Sequence, residues 1–181
     1  MAKPDDPGRE QRRNVDGALK ASLPTFAPKT GLDDEALEFS NAALTTALAD
    51  LTLLFQKTLA VHWSVAGSSF SALHELTENQ YRALFEAIDV IAERIRALGR
   101  APPATVAEMM RFAALEDAPV PETAEGMIAA LADDHEAICR ELRVKIDPCE
   151  DHQDYVTSDL FIERLTYHEK ASWMLRATLG R

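Results

Sequence analysis

Five residues between positions 62 and 93 are of types that bind metal ions. Imidazole nitrogens and carboxylate oxygens together suit iron(II), with zinc and manganese as competitors. The alternative is structural: the five residues could belong to a solvated polar face of a helix, where charged residues need no chemical role. Only the arrangement of the five on the chain can separate the two readings. The five residues are His62, His74, Glu78, Asp89 and Glu93.

Four of these residues share one stripe of a predicted helix. With about 100° of rotation per residue and His74 at zero, Glu78 lies near ~40°, Asp89 near ~60° and Glu93 near ~100°. The apolar residues of the same segment point mainly elsewhere. A polar face and a ligand set both satisfy this angular test, so both interpretations stay open.

The helical rise separates the four residues into two pairs. His74 and Asp89 are fifteen positions apart, which is about 22 Å along a helix that rises about 1.5 Å per residue. Metal–ligand bonds are only about 2–2.6 Å long. One metal ion therefore cannot touch both ends from one chain, and the stripe divides into His74 with Glu78 and Asp89 with Glu93.

A second copy of the chain would reunite the two pairs. Antiparallel pairing of this helix with its own copy, about a twofold axis near positions 83–84, sets His74 and Glu78 opposite the other copy's Asp89 and Glu93. His62, at the end of the preceding helix, would complete the ligand set. We therefore predict an intersubunit metal site.

Two other metal motifs do not fit. No glutamate stands three residues before any of the five histidines, so the Glu-x-x-His pairs of diiron sites built within one bundle are missing. His74-Glu75 begins like the zinc-protease motif H-E-x-x-H, but Glu78 occupies the second histidine position. The sequence therefore does not favour a protease.

The elements that must position these residues are all helical. Apolar residues recur at spacings of three, four and seven, and no stretch alternates like a strand. Pro148 and the polar run over 150–154 are expected to end the third long helix. The long connection after the second helix should make the second and third helices parallel, which predicts an all-α four-helix bundle with a short extra helix in that connection. The expected helices cover about residues 35–62, 69–98, 105–115 (short), 122–145 and 153–179.

Length and charge limit the organisation of the chain. The 181 residues suit one domain, with a flexible arm over 1–31 and the bundle over 32–181. The arm has a net charge of +2, which leaves −13 on the bundle out of a total of −11. Such an acidic body argues against general nucleic-acid binding and suits the handling of cations.

The chain also lacks signals for a membrane or for export. No apolar run approaches the ~20 residues of a membrane span, and the polar N-terminus does not resemble a secretory signal. Cys139 and Cys149 are too few for a disulfide framework. We expect a reduced, cytoplasmic protein without a membrane partner.

The ligand segment resembles the Dps proteins, which are ferritin-like miniferritins. The resemblance covers about residues 37–179, and its first block is specific because ligand identities, spacings and the flanking turn agree together. A weaker part extends through the last helix. The matching residues are His62-Trp63, Gly67, Phe70, Leu73-His74, Tyr81, Asp89, Ala92-Glu93-Arg94-Ile95, Leu98-Gly99, His168-Glu169-Lys170 and Trp173-Met174-Leu175-Arg176.

This resemblance implies a hollow dodecameric shell with ferroxidase sites at its twofold interfaces. Iron(II) is then oxidised, preferentially by hydrogen peroxide, and stored as ferric mineral, which protects DNA from oxidative damage. By position, His62 and His74 come from one subunit and Asp89 and Glu93 from its mate. Glu78 stands where the family usually has aspartate, so the extra methylene is expected to shift a second, weaker iron position.

The resemblance also implies roles beyond the first ligands. Trp63 and Trp173 match tryptophans near the site, where they either quench radicals or pack. The start of the last helix would line acidic iron-entry pores, which makes Asp154, Asp159 and Glu163 candidates. For Asp154, the preference for acids at a helix start explains the residue equally well.

The remaining expectations concern the arm and two further histidines. Lys3, Arg9, Arg12 and Arg13 are the candidate DNA contacts, since many weak arms on one shell act together. DNA binding and compaction is therefore the alternative function. His135 and His168 fall on core-facing stripes and are expected to be buried and hydrogen-bonded.

Overall fold

Residues 26–180 are described by a computed structural model of the chain. This range contains five helices and no strand, so the predicted all-α class and the short extra helix are confirmed. Within it, no helix is both long and apolar enough to cross a bilayer. The helices are α1 (Asp34–Ser64), α2 (Phe70–Ala97), α3 (Val106–Met109), α4 (Ala124–Asp151) and α5 (Tyr155–Thr178).

Two contacts of α1 define the topology of the bundle. The Phe39 ring lies 5.2 Å from the His152 ring, and Lys57 Nζ lies 2.6 Å from an Asp134 carboxylate oxygen. Early α1 therefore meets the end of α4, and late α1 meets its beginning, so these helices are antiparallel. Because α1 and α2 form an antiparallel hairpin, α2 and α4 run parallel, as the long connection predicted.

The ends of the first hairpin follow from local chemistry. Asp33 caps α1, since its Oδ1 accepts the Ala36 N–H at 2.8 Å. Gly99 ends α2 at φ +78°, a left-handed conformation that favours glycine. A Cβ on Gly99 would also meet the Phe26 carbonyl oxygen at 2.1 Å. Part of the predicted arm, from Phe26 onward, therefore packs against the bundle.

The predicted three-turn helix over 105–115 is wrong in length. Only one turn forms, at Val106–Met109. The reason is the buried carboxylate of Asp50, whose Oδ1 accepts the N–H groups of Ala114 at 2.7 Å and Leu115 at 2.9 Å. Those N–H groups donate to the side chain of Asp50 on α1 and not to carbonyls of a longer helix, so the connection is fixed to the bundle.

The prediction that Pro148 ends the third long helix is also wrong. Pro148 lies inside α4, which continues to Asp151. Proline removes the N–H that would bond the carbonyl of Val144, and the Val144 side chain is 68% exposed. Water can reach this side of the helix, which lowers the cost of the missing bond. The chain turns only at Gln153, at φ +60°.

A histidine pair lies inside the bundle between α4 and α5. His135 and His168 are fully buried, as predicted, and their Nδ1 atoms are 2.8 Å apart. One nitrogen must donate and the other accept, so the neutral rings hold opposite tautomers. Burial lowers the pKa of His135 from 6.5 to about 3 and that of His168 well below 6.5.

We expect this pair to make the bundle sensitive to acid. Each unfolded histidine binds a proton near pH 6.5 while the folded pair stays neutral, so the unfolded state gains protons as pH falls. The free energy of unfolding should drop by about 1.4 kcal/mol per pH unit for each histidine below pH 6.5. Urea unfolding across this range measures the slope.

The variant His135→Gln should have a clearly smaller slope than the unmodified protein. Leu131→Ala is the matched control on α4, since Leu131 is as buried but does not titrate. It should lower the free energy of unfolding at every pH and keep the slope. Equal slopes for His135→Gln and the unmodified protein would contradict the assignment.

Candidate metal centre

The turn between α1 and α2 brings two of the predicted ligands together. His62 lies in the last turn of α1, and His74 lies in the second turn of α2. Gly67 makes the reversal at φ +97°, a conformation that other residues rarely adopt. The two imidazole rings stack at a centroid distance of 3.7 Å.

Reciprocal hydrogen bonds fix the tautomers of both rings. His62 Nδ1 lies 3.0 Å from the His74 carbonyl oxygen, and His74 Nδ1 lies 3.0 Å from the His62 carbonyl oxygen. A carbonyl can only accept, so each Nδ1 must carry a proton. Each Nε2 then keeps its lone pair, which is the form that binds a metal ion.

Neighbouring side chains hold the two rings in place. Thr77 Oγ1 lies 3.3 Å from His62 Nδ1. Tyr81 meets the His62 ring edge-on at 5.2 Å, and Phe70 covers the His74 ring at 5.0 Å. The sequence analysis missed Thr77 as a supporting residue; its position three residues after His74, on the same helical face, was the available signal.

The other two predicted ligands remain far from the histidine pair. Asp89 and Glu93 lie exposed on α2, one turn apart. Among residues 26–180, neither carboxylate has a hydrogen-bond or ion-pair partner, and no three His, Cys, Asp or Glu residues converge on one point. The described chain therefore carries a histidine half, made by His62 of α1 and His74 of α2, and a separate carboxylate half further along α2.

Glu78 lies one turn beyond His74 and has a partner that the sequence analysis did not consider. Its Oε1 accepts hydrogen bonds from Arg82 Nη2 at 2.5 Å and Arg82 Nε at 3.2 Å. These bonds, followed by the positive charge of Arg82, lower the pKa of Glu78. The carboxylate is thus ionised, and one of its oxygens is engaged.

The same face of α2 exposes one large apolar side chain between the two pairs. Phe85 is 64% exposed and lies near ~20° on the stripe. Phe85 stands next to positions 83–84, where the sequence places the twofold axis. Aromatic side chains are enriched at protein interfaces, so Phe85 is our candidate for a contact with a second subunit.

The three pore candidates differ in their surroundings. Asp154 is buried, caps α5 through the Thr157 N–H at 3.1 Å, and accepts a hydrogen bond from Arg94 at 2.5 Å. Burial raises its pKa, but the bonds from Thr157 and the charge of Arg94 outweigh it and lower the pKa overall. The structure thus gives Asp154 the helix-capping role, whereas Asp159 and Glu163 are exposed.

The remaining candidates are surface residues or fall outside the description. Trp63 and Trp173 are 67% and 66% exposed, so neither packs in the core of its own subunit. The four candidate DNA contacts lie outside residues 26–180. They are Lys3, Arg9, Arg12 and Arg13.

Comparisons with known proteins agree on one architecture. A family model described as a ferritin-like domain matches residues 41–181. An uncharacterised low temperature-induced protein of Nostoc is 41% identical over 150 residues, which cover 81% of this chain and 83% of that protein. DNA protection during starvation protein 2 of Bacillus anthracis is 40% identical over 138 residues, covering 76% of this chain and 94% of the relative.

A solved structure extends the likeness to three dimensions. The crystal structure of a Dps protein from Bacillus brevis superposes with a TM-score of 0.78 at 30% identity, over 82% of this chain and 99% of the other. The protein is thus a ferritin-like four-helix bundle. Within that class, the chain belongs to the Dps family.

Proposed function

We propose that this protein is a ferroxidase that stores iron. It oxidises iron(II), preferably with hydrogen peroxide, at sites shared by two subunits of a hollow dodecameric shell, and it keeps the ferric product inside. The observation that carries the proposal is the pair His62 and His74, whose reciprocal hydrogen bonds leave both Nε2 lone pairs available. Names of relatives such as DNA protection during starvation protein fit a protective role.

The site requires a partner subunit because of the distance along α2. The histidine half and the carboxylate half are about 22 Å apart by helical rise. In a twofold dimer, His62 and His74 of one subunit meet Asp89 and Glu93 of the other, and two equivalent sites form. Phe85, near the axis, would supply apolar contact between them.

The chemistry divides between the two kinds of ligand. Imidazoles hold iron(II), and the hard carboxylate oxygens of Asp89 and Glu93 favour iron(III), so ligation promotes the loss of an electron. Two iron(II) ions each give one electron to hydrogen peroxide, whose O–O bond breaks to leave two hydroxide ions. A paired two-electron step avoids the hydroxyl radical that one-electron reduction releases.

The acidic body suits the delivery of iron. A net charge of about −13 on residues 32–181 attracts cations. Asp159 and Glu163, exposed on the first half of α5, remain our candidates for iron-entry pores. Trp63 and Trp173 are kept as candidates near the assembled site. A cytoplasmic setting agrees with the free thiols of both cysteines.

Replacing Phe85 by lysine should break the dimer. Two cations would meet near the twofold axis and lose the apolar contact, so light scattering should show a much smaller particle with unchanged helical circular dichroism. Val106→Lys is the matched control, because Val106 is 75% exposed on α3, away from the stripe. An assembled Phe85→Lys particle would argue against this interface.

A mixing experiment tests whether each site spans two chains. We expect His62→Ala/His74→Ala and Asp89→Ala/Glu93→Ala to be inactive by ferric absorbance after addition of iron(II) and peroxide. When the two variants are dissociated and reassembled together, each mixed dimer regains one intact site. Random pairing then restores about one quarter of the unmodified activity.

Two outcomes of mixing would contradict the proposal. If either variant alone oxidises iron at the unmodified rate, the named residues are not the ligands. If mixing restores nothing although mixed particles form, the site does not span the interface. The reassembled unmodified protein, treated in parallel, is the control for losses during dissociation.

DNA binding is a second candidate function, favoured by the name of the Bacillus anthracis relative and by the +2 charge of residues 1–31. We expect a gel shift at low salt that weakens steeply as salt rises. Deleting residues 1–25 should abolish it and preserve the packing of Phe26 on Gly99. A shift that survives the deletion would exclude the arm, and no shift with the full chain would exclude DNA binding.

A further inference from the structure

Arg82 lies one turn after Glu78 on the exposed side of α2. Two hydrogen bonds run from its guanidinium to the same oxygen of Glu78, the Oε1 atom. The order is favourable, because glutamate four residues before a basic residue is the better orientation of such a helical pair. The guanidinium side chain is still 66% exposed, so it has room to move.

The bonded guanidinium limits what Glu78 can offer a metal ion. With Oε1 engaged, only Oε2 is left for a single bond, and a bidentate carboxylate is prevented. A metal ion on Oε2 would also lie within a few ångströms of a full positive charge, and such repulsion weakens binding. His62 and His74 have no comparable competitor, since their Nδ1 bonds leave Nε2 untouched.

We propose that Arg82 sets the affinity of the second metal position by competing with the metal ion for the Glu78 carboxylate. The first iron, on the histidines and the opposing Asp89 and Glu93, binds tightly. The second, on Glu78, binds only transiently. This inference rests on the proposed function and adds a residue that sets its second metal position, which fills during turnover and empties afterwards.

Glu86 is a second potential ion-pair partner for Arg82. It lies four residues after Arg82, on the exposed side of α2, so its carboxylate is as near in helical spacing as that of Glu78. Arg82 and Glu86, with Phe55, Tyr81 and Phe85, line an open surface cavity of about 330 Å³. Arg82 can therefore leave Glu78 when a metal ion arrives and keep an anionic partner.

Cobalt(II) binding tests the inference without iron oxidation. The assembled protein is titrated anaerobically with cobalt(II), and the visible absorption of the bound ion reports tight and weak equivalents per subunit. In Arg82→Gln the weak equivalent should bind about tenfold more tightly, because a repelling charge and a competing donor are gone. Arg82→Lys keeps the charge and should stay within about twofold of the unmodified protein.

Two further variants complete the design. Arg143→Gln is the matched control, since Arg143 is an exposed arginine paired with Glu169 on the other hairpin; its cobalt isotherm should not change. Glu86→Gln removes the second anionic partner of Arg82, so Arg82 should stay on Glu78 and the weak cobalt equivalent should bind a few-fold less tightly. This variant decides the question if Arg82→Gln does not assemble by light scattering.

The outcomes separate this inference from the proposed function. If the unmodified protein binds cobalt and neither Arg82→Gln nor Glu86→Gln alters the weak equivalent, the role of Arg82 is overturned while the shared site stands. An Arg82→Lys variant that behaves like Arg82→Gln would overturn the role of charge. If the unmodified assembly binds no cobalt, both the shared site and the role of Arg82 fall.

Discussion

The rise of an α-helix, about 1.5 Å per residue, is the constraint on which the candidate site depends. It keeps His74 and Asp89 about 22 Å apart however the rest of the bundle packs, and among residues 26–180 no complete ligand set forms. The 28-residue helix α2 is thus a spacer. It keeps the two candidate pairs at a separation that one metal ion cannot bridge within one chain.

The histidine half shows how a backbone can prepare a metal ligand. The α1–α2 turn lets each imidazole donate to the carbonyl of the other histidine, so the tautomers are set before any metal arrives. Side-chain carboxylates often perform this orienting role, but here it is the main chain that accepts. A side-chain substitution cannot remove these backbone carbonyl oxygens. The orientation of the two rings therefore depends more on the turn around Gly67 than on any one neighbouring side chain.

Periodicity was sufficient to predict the helical class and the order of the helices, because both depend on local spacing. It failed where a distant side chain competed with a local rule. Asp50 takes the N–H groups of Ala114 and Leu115, so a helix with a suitable pattern stops after one turn. Pro148 stays within α4, beside an exposed turn where water can replace its missing bond. Such outcomes depend on tertiary contacts that no window of sequence contains.

The candidate site was also only partly accessible from sequence. The ligand types and their division followed from spacing, but the engagement of Glu78 by Arg82 did not, because helical positions 78, 82 and 86 allow Arg82 either neighbour. Asp154 shows the same limit: an acid at a helix start serves a pore or a cap equally well by pattern. In this structure Asp154 is buried against Arg94 and Thr157 and caps α5.

Two histidine pairs in one bundle show why residue type alone does not define a metal site. The Nδ1 of His62 and the Nδ1 of His74 each donate to a carbonyl, so the Nε2 atom of each ring keeps its lone pair. His135 and His168 bond each other through Nδ1, so only one of their two Nε2 atoms has a lone pair and the other carries a proton. Both of those Nε2 atoms are buried without a partner in the described chain. A cation bound there would lose its water molecules and gain only one neutral nitrogen ligand in return. Burying a charge with so few polar partners costs free energy. The deciding property is thus the hydrogen bond made by the other nitrogen of each ring.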